Sequence, residues 1–392
     1  MSIKLYSSFD YKEYEVKLNL LVAGILSAVV SLTGCSNEPA DTISAQGQFS
    51  LKEAFKDKFA IGAAVNELHI ADGIESALVA QHYNTLTPEN MMKWEEIHPQ
   101  PDQFSFSRPD ALVAFSERQG IQLVGHTLVW HSQTPDWVFY HQDGTRKNRA
   151  ELLTLMKSHI EAVAGRYKGR VYAWDVVNEA FNEDGTLRQS LWYEIIGDDY
   201  LDMAFEYAHE AAPNARLYYN DYNLFKPAKR KGVIELVKRL KSKGIQIDGV
   251  GMQAHYALDY PSFDDVEASI EAFSAQGVDV MITELDISVL PFPDDENMGA
   301  DVGLSIALQD EYNPYTEVLP KEKLDELASR YEALFAIFNR HSDKVGRVTF
   351  WGVHDAHSWR NNWPMPGRKD YPLLFGHDKQ LKTFATRLPY AG

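Results

Sequence analysis

Apolar segments of strand length alternate with helical segments eight times along this chain, and this alternation constrains the fold more than any other feature. The predicted strands are residues 59–65, 84–87, 121–130, 171–177, 216–220, 247–253, 278–283 and 348–353. Apolar side chains spaced three and four residues apart predict the helices between them, most clearly at Leu324, Leu327, Tyr331, Leu334, Phe335 and Phe338. The pattern predicts an α/β protein built as a single (β/α)8 TIM barrel with enlarged βα loops. A doubly wound open sheet is the alternative, but the first predicted strand lacks the Gly-rich phosphate turn found in many such sheets.

The composition narrows the class of partner. The chain has 392 residues, of which 45% are hydrophobic, and this is enough for one large core. Its formal net charge of -18 at pH 7 argues against a nucleic-acid partner, because phosphate binding needs a basic face. The eight Trp and twenty Tyr supply aromatic faces that can stack on sugar rings, although most aromatic side chains fill protein cores.

Two of the predicted strands end in a carboxylate. Residues 171–177 run into Asn178 and Glu179, and residues 278–283 run into Glu284. An unpaired buried charge is costly, so a Glu at the end of a buried strand needs a purpose. Structural ion pairs could explain either residue alone. The pair has the composition that glycoside hydrolysis with retention requires, with one carboxyl as acid/base and one as nucleophile.

Polar and aromatic side chains follow seven of the eight strands. In a barrel of parallel strands the carboxyl ends meet at one rim, where active sites form, so these side chains are predicted to gather there. They are Glu89, Asn90, Lys93 and Trp94, residues 125–131, Asn178 and Glu179, residues 220–223, residues 253–256, residues 284–286, and residues 351–355 with 359–363.

The segments 125–131, 174–180, 251–256 and 282–288 together resemble glycoside hydrolase family 10, the endo-β-1,4-xylanases. The resemblance extends from about Phe55 to Leu388. It implies hydrolysis of internal β-1,4-xylosidic bonds of xylan and xylo-oligosaccharides, with Glu179 as general acid/base and Glu284 as nucleophile. Retention further predicts that the two carboxyl groups lie about 5–5.5 Å apart.

The resemblance also implies roles for the surrounding side chains. Asn178 would bond the sugar 2-hydroxyl, His255 would contact Glu284, and Asp286 would hold His255 from behind. Phe181 and Tyr222 would line the aglycone side, which binds the leaving part of the chain. The remaining substrate-binding residues, which belong to the glycone side, are implied to be Glu89, Asn90, Lys93, His126, Trp130, Gln253, Trp351 and Trp359.

Parts of the sequence also fit other functions. His126 with His131, or His354 with His357, could suggest a metal hydrolase, but their spacing is not a zinc signature, so neither metal nor cofactor is expected. A sugar-binding protein without catalysis would not need both Glu179 and Glu284. A related retaining barrel acting on β-glucan is the nearest alternative. Residues 288–313 form a long acidic loop that could bind calcium, but a solvated loop is favoured because no calcium-loop spacing is present.

The N-terminal region predicts export. Residues 18–32 form a fifteen-residue apolar run that suits the core of a signal peptide, and it leads into Leu32-Thr33-Gly34-Cys35, which resembles a bacterial lipobox. We therefore expect a signal over 1–35, a tether over 36–49, a catalytic barrel over 50–392, and a monomer attached by lipid at Cys35 to the outer membrane. A secreted or periplasmic protein is the alternative. The acidic stretch before the apolar run departs from a signal peptide and suggests a true start near Val16-Lys17.

Overall fold

A closed barrel of parallel strands organises the fold. The computed structural model describes residues 49–292 and 310–392. The predicted signal, Cys35, nearly all of the tether and most of the acidic loop lie outside the described residues. The strands are β1 (Ala60–Val65), β2 (Thr85–Pro88), β3 (Gln122–Trp130), β4 (Ala173–Asn178), β5 (Arg216–Asp221), β6 (Gly249–Met252), β7 (His255–Ala257), β8 (Asp279–Ser288) and β9 (Val345–Phe350).

Eight of these strands pair in parallel around the barrel. Strands β1 to β6 pair in chain order, β6 pairs with β8, β8 with β9, and β9 returns to β1. The sixth predicted strand, 247–253, is β6, and the short β7 is an extra strand beyond its predicted end that also pairs with β8 after a break in the chain. The break falls at Gln253 and Ala254, and Ala254 has φ +65°. The predicted (β/α)8 barrel is confirmed, and the open-sheet alternative is wrong because β9 closes onto β1.

Helices cover the outside of the barrel between the strands. Those of the described residues are α1 (Leu51–Ala54), α2 (Glu67–Ile70), α3 (Ile74–His82), α4 (Trp94–Ile97), α5 (Ser107–Gln119), α6 (Arg149–Arg166), α7 (Leu191–Ile196), α8 (Tyr200–Ala211), α9 (Pro227–Ser242), α10 (Phe263–Ser274) and α11 (Lys321–Arg340), with 3-10 helices at Asp136–Val138, Asp355–His357 and Thr383–Tyr390. Within those residues, every helix is too short or too polar to cross a bilayer.

Local sequence signals explain where several helices begin and end. Asn148 and Glu151 form a reciprocal capping box at the start of α6. Gly244 and Gly277 follow the ends of α9 and α10 with φ of +73° and +67°, a left-handed conformation that only glycine adopts at little cost. These glycines follow the helix ends a few residues before β6 and β8 begin.

Candidate active site

The two glutamates predicted to be catalytic lie on strands β4 and β8. Glu179 directly follows β4, and its backbone N–H donates to the Asn220 carbonyl at 2.9 Å. Glu284 is part of β8, and its N–H donates to the Gln253 carbonyl at 2.8 Å. Bonds between the ends of neighbouring strands thus fix both residues at the carboxyl rim of the barrel, where the sequence placed them.

Glu179 accepts three hydrogen bonds at its carboxylate. Trp130 Nε1 donates to Oε2 at 3.0 Å, while Gln253 Nε2 and Asn178 Nδ2 donate to Oε1 at 3.0 and 3.2 Å. The side chain remains partly exposed. Its backbone has φ +57°, a conformation that costs a non-glycine residue about 1–3 kcal/mol and that persists only when its surroundings enforce it.

A buried network behind Glu179 enforces that backbone conformation. Arg188 Nε donates to the Glu179 carbonyl at 3.0 Å, and the Ala180 N–H donates to the Tyr219 hydroxyl oxygen at 2.9 Å. The Tyr219 hydroxyl in turn donates to Asp221, whose other oxygen lies 2.9 Å from Lys229 Nζ. Asp221 and Lys229 are fully buried, so this ion pair has little freedom to move. The turn that aims Glu179 is therefore held on both sides.

Glu284 lies in a different setting. It is 4% exposed, and its Oε1 accepts from Asn220 Nδ2 at 2.7 Å. His255 Nε2 donates to Oε2 at 3.0 Å, and His255 Nδ1 donates to Asp286 Oδ1 at 3.0 Å. With a carboxylate at each nitrogen, the imidazole has two N–H donors and carries a positive charge. Glu284 thus faces a cation and an amide donor.

The neighbouring charges determine the protonation state of His255. Burial disfavours the imidazolium, but Asp286 and Glu284 outweigh burial and raise the pKa of His255 to about 9. Burial also disfavours the charge on Asp286, yet Arg360 and His255 hold the pKa of Asp286 at about 2. Arg360 Nε lies 2.9 Å from Asp286 Oδ1. Arg360 and Asp286 therefore form an ion pair that keeps His255 charged at neutral pH.

A cluster of polar side chains lies beside the two glutamates. Lys93 Nζ donates to Asn90 Oδ1 at 2.9 Å and to Gln133 Oε1 at 2.8 Å, and it lies 4.9 Å from the centre of the Trp130 ring. Burial lowers the pKa of Lys93, although Glu284 and Glu89 oppose the shift. Burial raises the pKa of Glu89, which accepts from Asn66 Nδ2 at 3.3 Å. This partly satisfied group offers several polar atoms that sugar hydroxyls can bond.

Aromatic side chains lie around His255. The Trp359 and His255 ring centres lie 5.1 Å apart, and Trp359 Nε1 donates to Asp286 Oδ2 at 2.7 Å. The Trp351 ring meets the His255 and His126 rings edge to face, with centres 6.3 and 5.3 Å away. Both tryptophans are thus held by the same histidine that contacts Glu284.

The predicted glycone residues lie together in the structure. The two predicted aglycone residues differ from each other in exposure. Tyr222 is partly exposed, and its hydroxyl accepts from Arg188 Nη2 at 2.9 Å. Phe181 is only 5% exposed and packs edge to face on Tyr219, with ring centres 5.7 Å apart. Phe181 therefore belongs mainly to the core that supports Glu179, and Tyr222 is the more accessible of the two.

Sequence reasoning did not assign several residues that hold the site. Asn220 bonds Glu284, Gln133 bonds Lys93, Asp175 Oδ2 pairs with His126 Nδ1 at 3.0 Å, and Arg360 pairs with Asp286. Three of the four lie in or directly beside segments already singled out at strand ends, which is the signal that could have found them. Gln133 lies two residues beyond such a segment and is found only from its contact with Lys93.

Comparisons with known proteins place this geometry in a family. The sequence profile of glycosyl hydrolase family 10 matches residues 50–388. The chain is 43% identical to endo-1,4-beta-xylanase A of Xylanibacter ruminicola over 340 residues, covering 86% of this chain and 92% of that protein. It is 45% identical to a beta-1,4-xylanase of Dictyoglomus thermophilum over 335 residues, covering 85% and 88%.

Solved structures agree with the sequence comparisons. A GH10 endoxylanase from a sugarcane soil metagenome superposes with a TM-score of 0.81 at 42% identity, covering 88% of this chain and 99% of that one. Xylanase XynB from Paenibacillus barcinonensis superposes with a TM-score of 0.80 at 38% identity, covering 88% and 98%.

Proposed function

The chain belongs to glycosyl hydrolase family 10, and from this premise we propose that it is a retaining endo-1,4-β-xylanase with Glu179 and Glu284 as its catalytic pair. It hydrolyses internal β-1,4-xylosidic bonds of xylan and xylo-oligosaccharides. The observation that carries the assignment of residues is the contrast between the two carboxyl groups: Glu284 is buried against a charged histidine, whereas Glu179 is partly exposed. A nucleophile needs the first setting, and a group that exchanges protons with leaving group and water needs the second.

The first step forms a glycosyl-enzyme. Glu179, in its protonated form, gives its proton to the leaving glycosidic oxygen while Glu284 attacks the anomeric carbon. The bond from carbon to leaving oxygen breaks with its electron pair on that oxygen, and an ester bond to Glu284 forms. His255, bonded to Glu284 Oε2 at 3.0 Å, keeps the nucleophile ionised and oriented before the attack.

The second step releases the sugar. Glu179, now ionised, takes a proton from a water molecule whose oxygen attacks the anomeric carbon. The ester bond breaks, Glu284 recovers its carboxylate, and Glu179 is protonated again. Two inversions at the same carbon give net retention. Asn178 bonds the 2-hydroxyl of the sugar at this centre, a contact that strengthens in the transition state.

The neighbouring side chains bind the polymer. Trp351 and Trp359 provide aromatic faces for the glycone sugars, and Tyr222 contributes on the aglycone side. Since Trp359 is fixed by its bond to Asp286, it has little freedom to yield to the hydroxymethyl group that distinguishes glucose from xylose. The polar contacts to the substrate come from Glu89, Asn90, Lys93, His126, Gln253 and the indole edge of Trp130.

The test compares soluble xylan with mixed-linkage β-glucan, for the wild type, Glu284→Ala and the exposed control Glu235→Ala. We expect the wild type and the control to cleave xylan and to release the β-anomer first by NMR, and Glu284→Ala to be inactive although folded by circular dichroism. Cleavage of β-glucan alone would leave the barrel and the catalytic pair standing but remove the xylanase assignment. Loss of xylan cleavage in the wild type after chelation, with Tm unchanged, would favour a metal hydrolase instead.

We also propose that the enzyme is a monomeric lipoprotein of the outer membrane, attached through Cys35. The support is the apolar run of residues 18–32 followed by Leu32-Thr33-Gly34-Cys35. A lipid tether would place the enzyme where soluble, partly digested chains arrive. Metabolic labelling with palmitate should mark the wild type and leave Cys35→Ser unlabelled. Full recovery of the wild-type enzyme from the culture medium would contradict the anchor, and a dimer in light scattering would contradict the monomer.

A further inference from the structure

Three histidines and a glutamate meet where β1 and β9 lead into their following loops. His69 lies in α2 and Glu75 in α3, while His354 and His357 follow β9. We call these four residues the His69 cluster. Each offers one ligand atom, and these atoms all lie within 4.8 Å of one another. Within the His69 cluster, the sequence pointed only to His354 with His357 and led to the expectation of no metal, because His69 lies 288 positions from His357 and spacing does not connect them.

The distances and burial suit a small cation. His69 Nε2 lies 3.1 Å from His357 Nδ1, and His354 Nε2 lies 3.3 Å from Glu75 Oε1. Tetrahedral ligands that are each 2.0–2.1 Å from a zinc ion lie about 3.3 Å from one another. His69 and His354 are fully buried, and His354 Nδ1 has no hydrogen-bond partner among the described residues.

We propose that the His69 cluster is a structural zinc site, with His69, Glu75, His354 and His357 as its four ligands. Imidazole nitrogens with one carboxylate oxygen are a ligand set that favours zinc over calcium or magnesium, which take oxygen ligands. Four protein ligands leave no open position for substrate or water, so the site is structural. It is separate from the carboxylate chemistry of Glu179 and Glu284.

Two present contacts must change when the metal binds. The Asn66 N–H donates to His69 Nδ1 at 3.2 Å, so His69 Nε2 carries the ring proton; coordination through Nε2 moves that proton to Nδ1 and breaks this bond. Lys379 Nζ lies 2.7 Å from Glu75 Oε1 and must swing aside. Its side chain is 35% exposed and can reach water. Lys379 therefore competes with the cation for Glu75.

The site would join two loops that both bear on the proposed glycone side. Asn66 precedes α2, and its side chain donates to Glu89 at 3.3 Å. Trp359 follows His357 by two residues and bonds Asp286. A metal that holds His69 and His357 together would fix the distance between the Asn66 loop and the Trp359 loop.

The experiment uses the full-length protein, stripped with chelator and dialysed against zinc chloride, with calcium chloride as the comparison salt. We expect about one zinc per chain by mass spectrometry and a rise in Tm of about 3–4 °C when zinc is one hundredfold above its Kd. His357→Ala and Glu75→Gln should lose both effects. His141→Ala is the matched control, since His141 is an exposed histidine 3.5 Å from Glu151, and it should keep both effects.

Lys379→Met keeps the proposal testable if the ligand variants fail to fold. Removing the competing ammonium should tighten zinc binding at least tenfold in calorimetry. Zinc affinity unchanged by Lys379→Met would overturn Glu75 as a ligand. Binding of less than one equivalent by the wild type, or an equal rise in Tm with calcium, would overturn the site.

Discussion

Asn220 Nδ2 donates to Glu284 Oε1 at 2.7 Å, so the end of β5 bonds directly to the predicted nucleophile on β8. The same nitrogen donates to Asn178 Oδ1 at 2.9 Å, and Asn178 Nδ2 donates to Glu179 Oε1 at 3.2 Å. The Thr283 hydroxyl donates to Asn220 Oδ1 at 2.6 Å, which fixes the orientation of the Asn220 amide. A chain of two amides therefore links the two carboxyl groups.

Asn220→Ala should slow the reaction without much effect on substrate binding. The variant removes a buried hydrogen bond to a charged group, which contributes about 1.5–3 kcal/mol, and so kcat should fall about 10–100-fold. KM should change less than threefold, because Asn220 positions Glu284 and is not assigned to contact sugar. Steady-state kinetics on xylohexaose checks this, with the exposed Asn214→Ala as control. A raised KM with unchanged kcat would show that Asn220 acts in binding instead.

Glu179→Ala should separate the two halves of the mechanism. Without the acid, kcat on xylan should fall about 10²–10⁴-fold, because the xylan leaving oxygen needs a proton. An aryl xylobioside with an activated phenol leaving group needs no such help, so its glycosyl-enzyme should still form and give a burst of phenol. Stopped-flow absorbance measures the burst. The absence of a burst, in a variant that is folded, would argue against Glu179 as the acid.

The stability of the enzyme should fall on the alkaline side. The folded-state pKa of His255 is raised to about 9 from an ordinary 6.5, so its contribution is fully present below pH 6.5 and is lost as pH rises through 9. The loss is at most about 3 kcal/mol in the free energy of unfolding. Urea unfolding between pH 6 and 10 measures it. His255→Gln should flatten this slope and the surface variant His141→Gln should retain it; equal slopes in both variants would refute the assignment.

Much of the barrel was predictable because parallel buried strands leave a strong local pattern. All eight predicted strands exist, and each overlaps its observed range. The observed strands differ from the predicted ones where tertiary contacts determine how a strand ends. The extra strand β7 was not predicted, and it is separated from β6 by Gln253 and Ala254, whose φ of +65° has no signature in an alanine. The eighth strand ends at Phe350 and not at Val353, and Gly352, two residues later, has φ +136°, which is not a strand conformation.

The strand ends predicted where the site lies, and the family resemblance implied the contacts of His255 with Glu284 and Asp286, which the structure shows. The rule that strand ends share a rim placed Glu179, Glu284 and His255 together. That rule did not predict which side chains bond to one another. A bond such as Asn220 to Glu284 joins residues 64 positions apart and leaves no recognisable spacing in the sequence. The Arg360 bond to Asp286, across 74 positions, was missed for the same reason, as was the His69 cluster. The catalytic and binding roles of the predicted residues stay predictions until the variants are measured.

Gly251→Ala should damage stability and catalysis together, since the residue lies against Asn220. A Cβ at position 251 would lie 2.4 Å from Asn220 Oδ1 and 2.7 Å from Thr283 Cγ2, and both side chains are buried. Relief of that clash must displace the Asn220 amide from Glu284, so kcat should fall, and overpacking should cost about 1–3 kcal/mol in the free energy of unfolding. Gly346→Ala, on strand β9, is the matched control: nothing lies within 4 Å of its added Cβ, so stability should stay within about 0.5 kcal/mol. Urea unfolding and xylohexaose kinetics on both variants provide the check. If Gly251→Ala kept full kcat while losing stability, the Asn220 bond would be structural and the amide chain would not serve the reaction.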